Sequence, residues 1–157
     1  NVFEEVGLNR HQGIEANVFG EISEGFRIYG SFTYLDAEIR RAVDPTLEGN
    51  TPEGVPELIA VAGFDVDIAA VAGLGVTGNV RYTDEMFIDN ANTTTIPSFT
   101  TVDLGVRYGF SIGDVPVLAR LSAYNILDND HFVSGRSRSA VVGSPFAVRG
   151  SFTVEFR

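Results

Sequence analysis

The stretch Phe146-Ala147-Val148-Arg149-Gly150-Ser151-Phe152-Thr153-Val154-Glu155-Phe156 decides the fold. Every second residue from Phe146 onward is apolar or glycine, and the residues between them are mostly polar or charged. Because neighbouring side chains of a strand point to opposite faces, this pattern predicts a strand with one apolar and one polar face. A tilted strand that crosses a bilayer needs roughly 9–11 residues, whereas strands of soluble sheets usually have about 5–6. The stretch therefore has the length and pattern of a strand in an outer-membrane barrel.

Earlier segments of the chain show the same alternation. They are residues 13–22, 26–36, 58–70, 74–82, 100–110 and 115–123, which makes about seven strands in all, with the charges on the polar face. The connections alternate in length: turns near 23–25, 70–73 and 111–114 are brief, and polar loops at 37–56, 84–97 and 125–145 are long. Residues 1–12 show no period and are expected to form a loop. Short turns at one end and long loops at the other are typical of antiparallel up-and-down transmembrane β-barrels.

Composition narrows the remaining classes. A length of 157 residues predicts one domain, and the absence of cysteine excludes a disulfide framework and a thiolate metal site. The net charge of −10 and the pI near 4.5 argue against nucleic acid as a partner, because phosphate binding needs basic patches. The longest apolar run, residues 68–76, is too short for a spanning helix. The class is all-β.

Two alternatives to a transporting membrane barrel stay open at this point. A soluble β-barrel binding protein or sandwich also has one apolar and one solvated face, although the strand length and the loop asymmetry favour a membrane barrel. A non-transporting outer-membrane barrel, porin-like or adhesin-like, would show the same alternation. About seven strands also leave open edges that a bilayer does not tolerate, so we expect partner strands outside these residues.

The chain resembles the TonB-dependent outer-membrane receptors, of the siderophore-receptor type. The residues that carry the resemblance follow the order of the family's motifs along the whole chain. They are Arg10-His11-Gln12-Gly13-Ile14-Glu15, residues 25–38, Gly54-Val55-Pro56, residues 96–105, Leu121-Ser122-Ala123-Tyr124-Asn125-Ile126-Leu127-Asp128-Asn129-Asp130-His131-Phe132, and Gly143-Ser144-Pro145-Phe146. Each motif is loose alone, and their shared order makes the resemblance specific.

The resemblance implies an architecture and a function. Residues 1–157 would be the C-terminal portion of a plugged β-barrel of about 22 strands, with the plug domain and the earlier strands outside this chain. The parent protein would lie in the outer membrane of a Gram-negative bacterium and take up a ferric siderophore or a similar large nutrient. Its partners would be outer-membrane lipid, the barrel assembly machinery and a TonB-type energy-transducing complex. The siderophore would be the cargo, and no cofactor is implied.

Candidate ligand contacts follow from the polar faces of the strands. Arg81, Asp103 and Tyr124 are expected near the outer ends of their strands, facing the interior of the barrel, and the third long loop adds Arg136 and Arg138. Arginine suits anionic or chelated ligands because its planar guanidinium donates several hydrogen bonds. The alternative interpretation is that these charges pair with one another across the barrel wall, or with the plug.

Catalytic and metal-binding patterns do not emerge from the sequence. No nucleophile, histidine and carboxylate fall in a supporting order, and no phosphate-binding glycine loop is visible, so we expect a transport protein and not an enzyme. His11 and His131 are both expected to be solvated side chains in loops. Asp128-Asn129-Asp130 could bind a hard cation through oxygen ligands, but turn chemistry explains it better, and no metal site is predicted.

Overall fold

A computed structural model describes residues 7–155. Their main element is an antiparallel sheet of seven strands, in which each strand pairs with the next strand of the sheet along the chain. The elements are β1 Leu8–Ser23, β2 Phe26–Arg41, a 3-10 helix Pro45–Leu47, β3 Leu58–Asp67, β4 Leu74–Thr83, β5 Met86–Phe87, β6 Thr95–Ile96, β7 Phe99–Ile112, β8 Val115–Tyr124, β9 Phe132–Arg136, β10 Ser139–Val142 and β11 Ala147–Val154. The predicted meander of about seven long strands is confirmed.

The alternation of connection lengths is also confirmed. Brief turns join β1 to β2, β3 to β4 and β7 to β8, and we call this the short-turn end. Gly25, Gly73 and Gly113 adopt φ of 71°, 81° and 61° in these turns, which a residue with a Cβ rarely does. Loops 42–57, 84–98 and 125–146 meet at the opposite end, which we call the long-loop end.

One face of the sheet, the apolar face, carries a continuous layer of hydrophobic side chains. The strand register places Val66, Val76, Val106 and Leu121 in one row across four strands. Aromatic side chains bound this layer: Tyr34 and Tyr82 towards the long-loop end, and Phe26, Tyr108 and Phe110 towards the short-turn end. From Phe26 to Tyr34 the strand rises about 26 Å, close to the apolar band of a transmembrane barrel, which is about 25 Å tall.

β1 and β2 are longer than the alternation predicts. β1 already begins at Leu8, so the predicted loop 1–12 is wrong for residues 8–12, and β2 continues to Arg41 beyond the predicted end at Asp36. Residues 1–6 lie outside the described part of the chain. The face of β1 and β2 that is apolar nearer the short-turn end carries charged side chains here. Arg10 Nη2 contacts Asp36 Oδ2 at 3.1 Å and Glu38 Oε2 at 2.8 Å. The two strands therefore continue to pair above the apolar layer, where side chains no longer need to be apolar.

The other predicted bounds need smaller corrections. β3 ends at Asp67 and not at residue 70, because Ile68 and Val71 already form the turn that leads to β4. β11 is described as Ala147–Val154, and Phe156, the predicted last strand residue, lies outside the described residues. The second and third long loops contain pairing that alternation did not predict, since β5 pairs with β6 and β9 pairs with β10.

The three long loops pack against one another, and we call them together the loop platform (residues 42–57, 84–98 and 125–146). Thr51 N donates to Asn92 Oδ1 at 2.9 Å, and Asn92 Nδ2 donates to Thr51 O at 2.8 Å. Arg138 N donates to Ile88 O at 2.8 Å, which joins the third loop to the second. Buried beneath these contacts are Met86 and Ile96. The platform is therefore a packed unit with its own small core.

None of the helices among residues 7–155 is long and apolar enough to cross a membrane. The outermost strands of the sheet, β1 and β11, each pair along one side only within the described residues.

Candidate functional site

A cavity of about 740 Å³ opens beside the loop platform on the other face of the sheet, the polar face. Arg81, Asp103 and Tyr124 all line it, so the structure brings together the strand residues singled out in the sequence. Sequence reasoning missed several further lining residues, among them Phe99, Thr101, His131 and Arg149. The cavity thus combines arginines, a carboxylate and aromatic rings at the long-loop end.

Asp103 fixes one wall of this cavity. Its Oδ1 accepts a hydrogen bond from Asn125 N at 2.8 Å, at the point where β8 passes into the third loop. Asn125 is only 3% exposed and adopts a φ of 47°, which asparagine tolerates better than most residues. Its Nδ2 donates to the carbonyl oxygens of Asn129 and Ser144, both at 3.1 Å, and closes the base of the loop. Asp103 therefore positions a loop as well as lining the cavity.

Aromatic side chains line the cavity next to its arginines. The guanidinium carbon of Arg149 lies 5.8 Å from the centre of the Tyr124 ring, within the range of a cation–π contact. The His131 ring stacks on Phe99 with 4.5 Å between ring centroids, and its Nδ1 lies 2.8 Å from Asn129 O. His131 is therefore half-buried in a loop and not simply solvated. The prediction that His11 lies in a loop is wrong, because it belongs to β1.

Arg136 and Arg138 do not line the cavity. They lie in and next to the β9–β10 turn, on the loop platform. Arg136 Nε contacts Glu53 Oε1 at 3.4 Å while its side chain stays 87% exposed, and Arg138 has a φ of 61° in the turn itself. Asp128 closes a turn, as turn chemistry predicts: it has a φ of 49°, and its N donates to Asn125 O at 2.8 Å. Its carboxylate accepts from the more distant Phe146 N at 3.0 Å. Residues 7–155 hold no group of three or more His, Cys, Asp and Glu that could bind a metal.

Asp89 organises the second loop of the platform. Its side chain accepts hydrogen bonds from Thr93 N at 3.2 Å, Thr93 Oγ1 at 2.9 Å and Thr94 N at 3.1 Å. The backbone N–H of Thr93, reinforced by its hydroxyl and by the positive charge of Arg138, lowers the pKa of Asp89 below the ordinary carboxyl value, although desolvation opposes the shift. The platform beside the cavity is thus held by an ionised carboxylate.

A second charged cluster lies on the polar face nearer the short-turn end. Arg27 contacts Asp65 at 2.7 Å and Asp67 at 3.3 Å, and Arg107 contacts the same carboxylates at 2.8 and 2.6 Å. Gly75 leaves the space that the Arg107 guanidinium occupies. These two arginines and two aspartates neutralise one another within the wall.

Known proteins share this arrangement of strands and motifs. The family described as TonB dependent receptor-like, beta-barrel matches residues 1–126. The chain belongs to the TonB-dependent receptor family. These receptors are outer-membrane proteins of Gram-negative bacteria, and the chain lies in that membrane. Membership of this family excludes the soluble alternative and the porin-like or adhesin-like alternative.

Relatives and a solved structure of TonB-dependent receptors cover most of the chain. It is 34% identical over 158 residues to the ferrichrome receptor FcuA of Yersinia enterocolitica, covering 99% of the chain and 21% of that receptor. It is 32% identical over 133 residues to the ferrichrome outer membrane transporter/phage receptor of Escherichia coli K12, covering 83% of the chain and 18% of that protein. The crystal structure of BauA, the ferric preacinetobactin receptor from Acinetobacter baumannii, matches with a TM-score of 0.89 and 30% identity over 96% of the chain and 22% of BauA. The chain thus spans about a fifth of the length of the curated relatives it matches.

Proposed function

We propose that residues 1–157 form the C-terminal portion of the barrel of an outer-membrane receptor that takes up a ferric siderophore or a similar large nutrient. The observation that carries this proposal is the 34% identity to a ferrichrome receptor over 99% of the chain. The remaining strands and a plug domain are supplied by the rest of the parent protein, and a TonB-type complex provides the energy. The barrel assembly machinery inserts the strands.

The two faces of the sheet have different surroundings in this proposal. The apolar face contacts outer-membrane lipid, and the rows of Tyr and Phe at its borders lie in the polar interfaces of the bilayer. The polar face lines the interior of the barrel. The free edges of β1 and β11 pair with further strands, because each unpaired backbone group in hydrocarbon costs several kcal/mol.

The cavity at the long-loop end supplies the cargo contacts. Arg81, Asp103, Tyr124 and Arg149 converge on it, so guanidinium donors and an aromatic ring are available together to a ferric chelate. Arg136 and Arg138 remain predicted contacts at the loop platform, where Arg136 is exposed to a ligand that approaches from outside. The enzyme class plays no part, since capture and release of a chelate break no covalent bond.

Iron uptake by the parent protein tests this function. The parent gene is expressed in a strain that lacks its own ferric hydroxamate receptors, and uptake of radioactive iron is measured from ferrichrome and from ferrioxamine B. We expect uptake from at least one chelate, its loss when TonB is deleted, and weaker binding in Tyr124→Ala than in the control Arg41→Gln, whose side chain lies outside the cavity. Uptake that persists without TonB, or no uptake from any ferric siderophore, would contradict the proposal.

A further inference from the structure

The arginines of the polar face fall into two groups. Arg27 and Arg107 each contact both Asp65 and Asp67, so their charges are neutralised inside the wall. In contrast, Arg81, Arg120 and Arg149 form no ion pair with any carboxylate of residues 7–155. Asp103, a carboxylate that lines the outer cavity, is instead hydrogen-bonded to a backbone N–H of the third loop. Three guanidinium groups of the wall therefore lack an anionic partner of their own in the described chain.

The strand register arranges these three residues in sequence from the long-loop end towards the short-turn end. Arg81 and Arg149 line the same cavity of about 740 Å³. Arg149 pairs across the sheet with Ser122, and Ser122 lines a second cavity of about 220 Å³ together with Arg120. The Ser122–Arg149 pair thus contributes one residue to each cavity, which makes the two cavities neighbours on the sheet. We call Arg81, Arg149 and Arg120 the arginine track.

The track ends at the cluster of Arg27, Arg107, Asp65 and Asp67, which we call the neutral cluster because its charges cancel. Arg120 lies directly opposite Arg107 in the β7–β8 register, with Cβ atoms about 4.5–5.5 Å apart in such pairs. Two facing arginines repel one another unless an anion lies between or beside them, and Asp65 and Asp67 already neutralise Arg107. An anionic group is therefore attracted as far as Arg120 and meets no further unpaired positive charge on this wall beyond it.

We propose that the arginine track carries cargo bearing carboxylate or similar anionic oxygens inward along the barrel wall and makes the parent receptor selective for such cargo. This inference rests on the proposed function and adds the cargo's chemical class and a route below the outer cavity. Arg81 and Arg149 receive the anionic group at the long-loop end. Arg120 binds the anionic group next. The group then dissociates, because the charges of the neutral cluster already cancel one another.

The competing explanation is structural. Carboxylates from other parts of the parent protein could neutralise Arg120 and Arg149 permanently, in which case the arginines would hold the barrel contents in place for every cargo alike. The two explanations differ in one measurable quantity, the ratio of uptake rates for a charged and an uncharged cargo.

The test uses the full-length parent receptor in the uptake strain and two probes. One is ferrichrome, which has no net charge, and the other is a ferrichrome derivative with one added carboxylate. We expect Arg120→Gln to lower uptake of the carboxylated probe relative to ferrichrome by about tenfold, the loss of one charge-assisted hydrogen bond, and Arg120→Lys to restore most of the ratio. Arg149→Gln should lower both the relative affinity and the relative uptake of the carboxylated probe. Arg41→Gln removes the same charge outside the track and should leave the ratio unchanged.

Each outcome has one meaning. An unchanged ratio in both glutamine variants overturns the track, and so does an equal loss for both probes, which indicates structural pairing. If Arg120→Gln fails to assemble, the ratio in Arg149→Gln decides in the same way. Absence of TonB-dependent uptake in the wild type contradicts the proposed function first and removes the basis of the track with it.

Discussion

An arginine introduced on the apolar face should destabilise the barrel according to its depth. Leu104 lies on this face of β7, midway between Thr100, which pairs with Tyr82 of the upper aromatic row, and Tyr108 of the lower row. Its neighbours across the sheet are Gly78 and Ala123, which offer no carboxylate to a guanidinium. We therefore expect Leu104→Arg to cost about 2–4 kcal/mol, the range for arginine at the bilayer midplane, and Thr100→Arg about 0–1 kcal/mol near the interface.

The assay is folding of the parent receptor into lipid vesicles across a urea series, with the folded fraction read from its mobility on cold electrophoresis. Ser31→Arg is the matched control, because Ser31 lies exposed on the polar face and faces Asn17 and Val61. It should change the free energy of unfolding by less than about 0.5 kcal/mol. Equal losses of unfolding free energy for Leu104→Arg and Ser31→Arg would refute the assignment of the two faces. A larger loss for Thr100→Arg than for Leu104→Arg would refute the assigned depths of these two residues in the bilayer.

Further predictions concern the loop platform and the neutral cluster. The pKa of Asp89 is lowered, so its contribution to stability is present above the ordinary carboxyl pKa and is lost as the pH falls through the lowered value. Hydrogen exchange of the Thr93 amide should therefore accelerate over that acidic range. Asp89→Asn should remove this pH dependence. A Cβ at Gly75 would meet the Arg107 guanidinium, so Gly75→Ala should displace that side chain from its carboxylates and lower the free energy of unfolding by about 1 kcal/mol. Gly20→Ala, where a Cβ meets nothing within 4 Å, should instead be neutral or stabilising by about 0.5 kcal/mol; destabilisation of both variants to the same degree would count against this explanation.

The central strands could be predicted because their environment is periodic. Where a strand has lipid on one side and the barrel interior on the other, its sequence must alternate, and β4 and β8 accordingly begin at the predicted residues. Above the apolar layer this requirement ends while backbone pairing continues. Gln12 opposite Asp36 and Arg10 opposite Glu38 therefore looked like loop in the sequence, although β1 and β2 pair there.

The candidate site was partly predictable for the same reason. Arg81, Asp103 and Tyr124 lie on the polar face near the long-loop ends of their strands, and this position places them around one cavity. Arg149 lies on the same face of β11, but only the register, with Ala147 opposite Tyr124, shows that it reaches the same cavity. The ligand-binding role of these residues stays a prediction.

Contacts between loops left no periodic signal. The pairing of Asn92 with Thr51 joins residues 41 positions apart, and the stacking of His131 on Phe99 joins the third long loop to the first residue of β7. Such contacts depend on which strand ends lie side by side, so they follow from the finished sheet and not from local sequence. For this reason the loop platform, and the position of Arg136 and Arg138 on it, could not be derived from spacing.

Fluorescence at adjacent positions of β7 tests the central claim most directly. Thr100 has apolar-face parity and Thr101 lines the cavity, so Thr100→Cys and Thr101→Cys place one dye on opposite faces of the same strand; this chain contains no other cysteine. Ferrichrome, whose iron centre quenches nearby dyes, is titrated into each labelled receptor. We predict saturable quenching at position 101 and little at position 100. Equal quenching at both positions, or quenching only at 100, would contradict a receptor wall that binds its ferric cargo on the polar face.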